Sequence, residues 1–468
     1  MHRSPITIVG AGLVGALLAT LLSRSGREIR LIEKRPDPRQ AGFLGGRSIN
    51  LALAERGLNA LRAAGLEVAV MKQAVMMRGR MIHDHDGHTN LQRYGVDDSE
   101  VIWSVSRGGL NMLLLDAAER AGAELHFDQA LVDADFALGE LELRHTDGTH
   151  RRIGAPITIG ADGAGSAVRA AMSRVEALGE RTDMLGHGYK ELEIPPPAQF
   201  PDGQRPEAID AEGRFAIEPH ALHIWPRGGY MCIALPNDEG SFTVTLFLPN
   251  EGAAPSFATV TDADAAEALF REQFPDALPL IPALRADFDA NPVGTLGTLY
   301  LDRWHLGGKA LLIGDASHAI VPFHGQGMNA GFEDAAALAP MLADAEDADV
   351  EAVFAAFQAQ RKPDTDAIAA MALENYIEMR DSVADPHYLL QRALGQQLAA
   401  RAPTHFMPRY RMVTFTHLPY AYAFERGRAQ RALLDQLLGA RTSLDGLDLD
   451  AAERTLRATL PPLPALRG

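Results

Sequence analysis

Three glycines, Gly10, Gly12 and Gly15, lie between a short β-branched run and a helix-forming stretch. At this spacing the first glycine permits a tight turn and the second lets a pyrophosphate approach the backbone. The third lets helix and strand pack closely. The helix N-terminus then faces the diphosphate. Glu33 ends the next apolar run, where a carboxylate can accept hydrogen bonds from an adenosine ribose. The chemistry indicated is dinucleotide binding, with a ligand-free tight turn as the competing reading. Two further clusters pair glycine with aspartate. Gly160–Ala161–Asp162–Gly163 opens a run that ends at Arg169. Gly314–Asp315–Ala316–Ser317–His318 is followed by Pro322 and by Gly325–Gln326–Gly327–Met328–Asn329. Asp162 could equally mark an ordinary turn. In the last cluster, a glycine-rich turn opening a helix would place positive dipole density beside a bound anion.

Those residues need a scaffold. Ile6–Val9, Ala16–Ser23 and Glu28–Glu33 read as strand, helix and strand, with Gly26 as a stop signal. This is the opening βαβ unit of a doubly wound, Rossmann-like α/β sheet. Residues 73–106 read as strands and loops, Leu110–Ala121 as a helix and Ile157–Gly160 as a strand. From His187 to Leu248 short runs recur, at His187–Ile194, Ala221–Trp225, Tyr230–Leu235 and Ser241–Leu248. They predict an inserted antiparallel sheet, with Ile194–Glu207 a loop. Ala310–Ile313 reads as a buried parallel strand. The alanine-rich stretch from Gly327 to Met379 reads as helix, and Pro386–Arg467 as mostly helical. The expected division is a discontinuous nucleotide domain (1–72 with 101–180 and 296–370), a substrate-binding sheet domain (73–100 with 181–295) and a helical C-terminal region (371–468).

A chain of 468 residues exceeds one ordinary core, which agrees with several units. The 44 basic against 61 acidic residues give a net charge of −17, which repels phosphate backbones and argues against a nucleic-acid partner. The single cysteine, Cys232, lies in an apolar run and cannot form an internal disulfide. It reads as a small buried hydrophobe in a reducing, cytoplasmic setting. No Cys/His cluster has metal-ligand spacing. Ile6–Leu22 mimics a signal peptide or anchor, but the three glycines interrupt it, and no other stretch reaches the roughly 18 apolar residues of a membrane span. The expectation is a protein without a membrane partner. Oligomeric state stays open, a homodimer among the assemblies allowed.

The two aspartate clusters resemble the "DG" and "GD" signatures of flavoprotein hydroxylases. In those proteins they serve FAD and nicotinamide contacts, and the aspartate of the second binds the ribityl or ribose part of FAD. Ser317 stands where alanine is common in the family. All three motifs in this order imply non-covalent FAD and a fold like that of para-hydroxybenzoate hydroxylase. The resemblance places cofactor contacts at Gly10, Gly12, Leu13, Gly15, Glu33, Lys34 and Arg35. It adds Ala52, Arg107, Asp162, Asp315, Gly327, Met328 and Asn329.

Across most of its length the chain also resembles the kynurenine 3-monooxygenase family. The carrying stretches are Gly46–Leu53, Met77–Met81, Tyr94–Gly95, Asp98–Trp103 and His187–Leu192, then Pro322–Asn329, Glu374–Tyr376 and Pro408–Tyr410. This implies that Arg80 and Tyr94 bind a substrate carboxylate, helped by Asn375 and Tyr410. An arginine fork suits a carboxylate because it can meet two oxygens at once. Leu222, Ile224, Met231, Leu235 and Phe247 alternate along the inserted strands and could wall an aromatic ring, or could be plain sheet core. Phe323 and His324 would lie beside the flavin as positioning groups. Neither is expected to be a catalytic base. His324 could simply cap a turn, and His318 could only satisfy backbone groups.

The implied reaction is hydroxylation of L-kynurenine to 3-hydroxykynurenine with NADPH and dioxygen, through a flavin C4a-hydroperoxide. Tryptophan degradation or quinolinate and NAD synthesis is the implied setting. The substrate amine activates the ring carbon beside it, so the protein's tasks are positioning and excluding water. NADPH rather than NADH follows from the family alone. One rival is another flavin aromatic hydroxylase or halogenase. Trp103, Trp225 and Trp304 are isolated and do not form the Trp-x-Trp signature of flavin halogenases. The rival of a different class is a non-catalytic FAD redox sensor.

Overall fold

The structure, a computed structural model, describes residues 3–41, 50–210, 212–381 and 385–465. Gly46–Ile49 of the first kynurenine-family stretch lie outside the described residues.

The nucleotide unit is built on a six-stranded sheet. Ile6–Val9 lies inside it, flanked in parallel by Ile29–Ile32 and Ile157–Gly160, with Ile8 opposite both Leu31 and Ile159. Glu124–His126 and Ala310–Leu312 continue the sheet outward, and His305–Leu306 adds a short antiparallel edge. Helices cover both faces, so these strands are apolar throughout rather than alternating. The helix Leu13–Arg24 packs between Arg107–Arg120 and Gly327–Ala343. Winding reverses between Ile6–Val9 and Ile157–Gly160, so the crevice at their carboxyl ends falls at Gly10 and Ala161. The apolar stretch Ile6–Leu22 is thus split into strand, turn and helix.

The second unit is a seven-stranded sheet. Its spatial order is Gly294–Tyr300, Arg181–Ile194, Phe242–Pro249, Met231–Pro236, Ala221–Pro226, Gly79–His83 and Thr89–Arg93. Every join is antiparallel except one: Ala221–Pro226 runs parallel to Gly79–His83, with Leu222 opposite Arg80. More than a hundred residues separate these two strands in sequence, so no hairpin dictates their direction. One face of the sheet packs under the helices Ala263–Gln273 and Leu284–Ala290, burying Trp225, Cys232, Phe242 and Leu246. The other face carries Ile82, Ile224, Met231 and Phe247, packed against Phe323, Tyr376 and Met379. Alternation within each strand therefore separates a structural face from the face that meets the site.

The helical stretch expected from Gly327 to Met379 is two helices, Gly327–Ala343 and Val350–Arg380. Between them Asp347 accepts from Ser4 N and Oγ, tying the turn to the first strand. Val350–Arg380 runs unbroken through residue 370, where a domain division was expected, so one element serves both regions. Helices Pro386–Arg401, Arg409–Phe415, Tyr420–Leu438 and Leu449–Thr459 complete the chain. Among the described residues no helix is long and apolar enough to cross a membrane.

Candidate active site

The glycine turn is shaped by close approach. Gly10 has φ +104°, and a Cβ there would lie 2.5 Å from the Ala161 carbonyl oxygen. A Cβ on Gly15 would lie 2.0 Å from the Gly10 oxygen. Gly12 differs: it is exposed, and a Cβ there would meet nothing within 4 Å. It opens the helix Leu13–Arg24 with no side-chain cap, so the first-turn N–H groups, with no side-chain acceptor among the described residues, can serve an anion. Glu33 braces the turn from the next strand, its Oε2 accepting from Ala11 N at 2.9 Å and its Oε1 from Arg35 N at 3.1 Å. Lys34 and Arg35 follow it, both exposed.

The other two motifs divide their labour. Asp162 caps the helix Ala167–Val175, accepting from Ser166 Oγ at 2.5 Å and Ala167 N at 2.6 Å. Arg169 of the same motif donates to Ala164 O at 2.6 Å and to Ala316 O at 3.0 Å, joining the two loops. Asp315 presents its side chain to the cleft and is exposed there. Protein still encloses it closely enough that desolvation raises its carboxyl above the usual range. The loop is held from behind by the buried Asp334 carboxylate. It accepts from Gly314 N at 3.0 Å, His318 Nε2 at 2.6 Å and Arg361 Nε at 2.8 Å. His318 therefore pairs with a carboxylate instead of satisfying backbone groups. Gly327 and Met328 open the helix Gly327–Ala343 without a side-chain cap. Asn329 is fully buried and bonded to backbone: it accepts from Ala54 N and donates to Ala52 O and Gly325 O. It thereby fixes Ala52 against the turn. Arg107, exposed, stands near enough to Asp315 and Glu191 to favour their charged forms. An uncapped helix end, an open approach at Gly12 and an exposed acid fit a dinucleotide with a hydroxyl-bearing linker.

The residues expected to meet a substrate also converge. Arg80 lies on Gly79–His83, 7% exposed, with Nη2 donating to Asn375 Oδ1 at 3.2 Å and Nη1 3.1 Å from Glu378 Oε1. Burial opposes its charge most strongly, but Glu378 together with Tyr94, Tyr410 and Tyr388 outweighs it and raises the guanidinium above its ordinary value. Burial would raise Glu378, but Arg80, with Tyr388 and Arg409, holds it below the usual carboxylate range. Tyr94 and Tyr410 stack on each other at 5.0 Å, and the Arg80 guanidinium lies 6.0 and 5.4 Å from their rings. Burial raises both phenols, so both stay neutral donors at ordinary pH. Arg411 forks onto Glu100 and so fixes the short helix that carries Tyr410. Asn375 Nδ2 donates to Phe323 O at 2.6 Å, which sets the direction of its Oδ1 toward Arg80.

Phe323 packs on Phe247 at 5.1 Å and on Tyr376 at 4.1 Å. Ile224, Met231 and Phe247 are nearly fully buried, whereas Leu222 and Leu235 are half-exposed and pack near Tyr94 and Tyr410. The apolar wall thus has a covered layer and an open one. His324 stacks on Tyr410 at 5.4 Å and caps nothing through Nδ1, which is buried without a protein partner. Burial, aided by Arg409, pushes His324 down to about 3, so it is neutral near pH 7 and ill suited to carry charge. The sequence reading missed Glu378. It stands three residues after Asn375 on one helix, a spacing that shares a face. Among the described residues no group of three His, Cys, Asp or Glu side chains could hold a metal ion.

A family model described as "FAD binding domain" matches residues 3–372. Kynurenine 3-monooxygenase of Stenotrophomonas maltophilia (strain K279a) is 57% identical over 459 residues, covering 98% of this chain and 97% of the relative. Kynurenine 3-monooxygenase of Xanthomonas axonopodis pv. citri (strain 306) is 57% identical over 464 residues, covering 99% and 98%. Among solved structures, a tetrameric form of 2-methyl-3-hydroxypyridine-5-carboxylic acid oxygenase covers 83% of this chain and 95% of that one at TM-score 0.64 and 22% identity. P. aeruginosa PqsL covers 81% and 97% at TM-score 0.61 and 21% identity, which shows the shared fold. By the family match and by these full-length relatives, the chain belongs to the kynurenine 3-monooxygenase family of FAD-dependent monooxygenases.

Proposed function

We propose that this protein hydroxylates L-kynurenine at the ring carbon beside its amine, consuming NADPH and dioxygen. The observation that carries the reading is the buried Arg80, flanked by Tyr94, Tyr410, Asn375 and Glu378, beside half-exposed apolar groups on the same sheet face. Kynurenine is an amino acid bearing an aryl ketone and an aniline nitrogen. Its carboxylate matches the Arg80 fork, its α-ammonium matches Glu378, and its ring matches the wall of Leu222, Leu235 and Phe323. FAD, when bound, would supply the redox chemistry by which hydride from NADPH and dioxygen yield one oxygen atom for the ring and one molecule of water. Gly12 and Leu13 would hold its diphosphate at the helix start, which Gly15 packs close to the first strand, with Glu33 at its adenosine ribose and Asp315 at its ribityl side.

The chain's own groups position and enclose. Asn375 fixes Arg80, Arg80 fixes the amino-acid end, and the wall sets where the ring stops. Phe323 and neutral His324 add no charge that would draw water into the pocket. The amine of the substrate activates the reacting carbon, so no strong protein base is required.

The reading is tested by adding kynurenine to the purified yellow protein while following NADPH loss and product mass together. Sustained oxidation with a product one oxygen heavier supports it. A non-catalytic flavin sensor would show no sustained turnover, and another aromatic hydroxylase would turn over phenols in preference to kynurenine.

A further inference from the structure

On the sheet face opposite the Arg80 pocket, four side chains form a continuous chain of hydrogen bonds. His83 Nδ1 lies 2.9 Å from Asp276 Oδ2, and its Nε2 lies 2.8 Å from His223 Nδ1. His223 Nε2 lies 2.7 Å from the Glu218 carbonyl oxygen. Trp225 Nε1 donates to the same Asp276 oxygen at 2.7 Å, and the Trp225 ring stacks on His83 at 4.1 Å. His83 and His223 are both buried.

The donors can be assigned in order. A carbonyl only accepts, so His223 Nε2 carries its proton. Burial pushes His223 down to about 3, so the ring is neutral and its Nδ1 accepts. His83 Nε2 must then donate. Its Nδ1 faces the Asp276 oxygen that also accepts from Trp225. Hydrogen bonds from His83 and Trp225 hold the Asp276 carboxyl below its usual range against burial. Turning either imidazole over would exchange these nitrogens for carbons and forfeit the bonds.

We propose that the hydrogen-bonded cluster of His83, Asp276, His223 and Trp225 clamps the strand Gly79–His83 and thereby positions Arg80 for the substrate carboxylate. The proposal rests on Arg80 as the carboxylate holder. The strand lies next to the sheet edge, and its inward join, to Ala221–Pro226, is the one parallel join of the sheet. The clamp ties both partners of that join to the helical layer, through His83 on one strand and His223 and Trp225 on the other. Arg80 and His83 point to opposite faces, so the clamp never touches substrate. Other charged or titratable groups nearby are Arg227, which donates to His83 O at 3.1 Å, Asp84 next along the chain, and Cys232, whose thiol burial raises. Asp276 Oδ1 is buried without a protein partner, so the bonds from His83 and Trp225 fall on Oδ2 alone.

The test uses FAD-loaded protein. Asp276→Ala should raise the kynurenine KM several-fold while saturating kcat and FAD content stay near wild type, and the backbone amides of Gly79–His83 should exchange hydrogen faster. His83→Gln should do the same. An unchanged KM in both variants overturns the positioning role. If the wild type fails to turn kynurenine over at all, the proposed function falls, and amide exchange still decides the clamp: protection equal to wild type in both variants overturns it.

Discussion

At the scale of the residue, Arg80 has two obligations. It pairs with Glu378 in the free protein and is assigned to the substrate carboxylate. Stranding one partner of a buried pair costs about 3–5 kcal/mol. Losing a desolvated carboxylate contact costs roughly 2–5 kcal/mol of binding. Arg80→Met should therefore both destabilise the protein and raise the kynurenine KM tens-fold or more, with FAD content unchanged. Arg80→Lys should restore little, because a point charge cannot reproduce the fork. The two effects separate in Arg80→Met combined with Glu378→Gln, which removes the stranded charge. Denaturation midpoints should recover toward wild type while the KM stays well above that of Glu378→Gln alone, which itself loses the α-ammonium contact. A KM no higher than that of Glu378→Gln alone would make Arg80 a structural residue, with the carboxylate held elsewhere.

At the scale of the element, the turn after Ile6–Val9 separates folding from binding. Gly15→Ala places a methyl 2.0 Å from a backbone oxygen, so helix and strand cannot keep their spacing. Gly12→Ala meets nothing among the described residues and has a φ of −70° that alanine tolerates. Gly12→Ala should keep the thermal midpoint of the FAD-free protein close to wild type yet weaken FAD retention in dialysis, because its methyl occupies the anion's approach. Gly15→Ala should lose both. A Gly12→Ala protein that holds stoichiometric FAD would remove the diphosphate from this turn. The same contrast shows what the chain made legible. Gly10, Gly12 and Gly15 could be read because tight approach leaves only one residue type, and the apolar strands could be read because burial on both faces removes polar residues. Asp162 was harder: an acid that caps a helix and one that meets a cofactor look alike until the N–H groups of Ala167 and Val168 are seen to fill it. Arg80, Tyr94, Asn375 and Tyr410 come together from distant parts of the chain, and family resemblance, not spacing, brought them together. The parallel join beside Arg80 left no local trace, since no short turn encodes it. The helices Ala263–Gln273 and Leu284–Ala290 were passed over in a segment dominated by its strands.

At the scale of the whole molecule, two electrostatic effects pull acid stability in opposite directions. The chain carries a net charge of −17, and lowering the pH relieves that self-repulsion. Against this stand two buried imidazoles, His223 and His324, both pushed from an ordinary 6.5 to about 3, chiefly by burial. Between those values the unfolded chain binds a proton at each site and the folded protein does not, so stability rises with pH across that window and falls as pH drops. Each site contributes a slope of about 1.4 kcal/mol per pH unit. Below the ordinary carboxylate range the depressed acids Asp334 and Glu378 add losses of the same sign, since their folded values lie beneath their unfolded ones. Surface repulsion is screened by salt, whereas fully buried groups are not. The buried histidines should therefore win: in moderate salt the urea midpoint of the FAD-loaded protein should fall steadily from neutral pH toward pH 5. His324→Asn should reduce that slope by about one proton's worth, since asparagine has no proton to refuse. A midpoint that rises as the net charge shrinks would mean that surface repulsion dominates and that the two imidazoles are better hydrated than their burial implies.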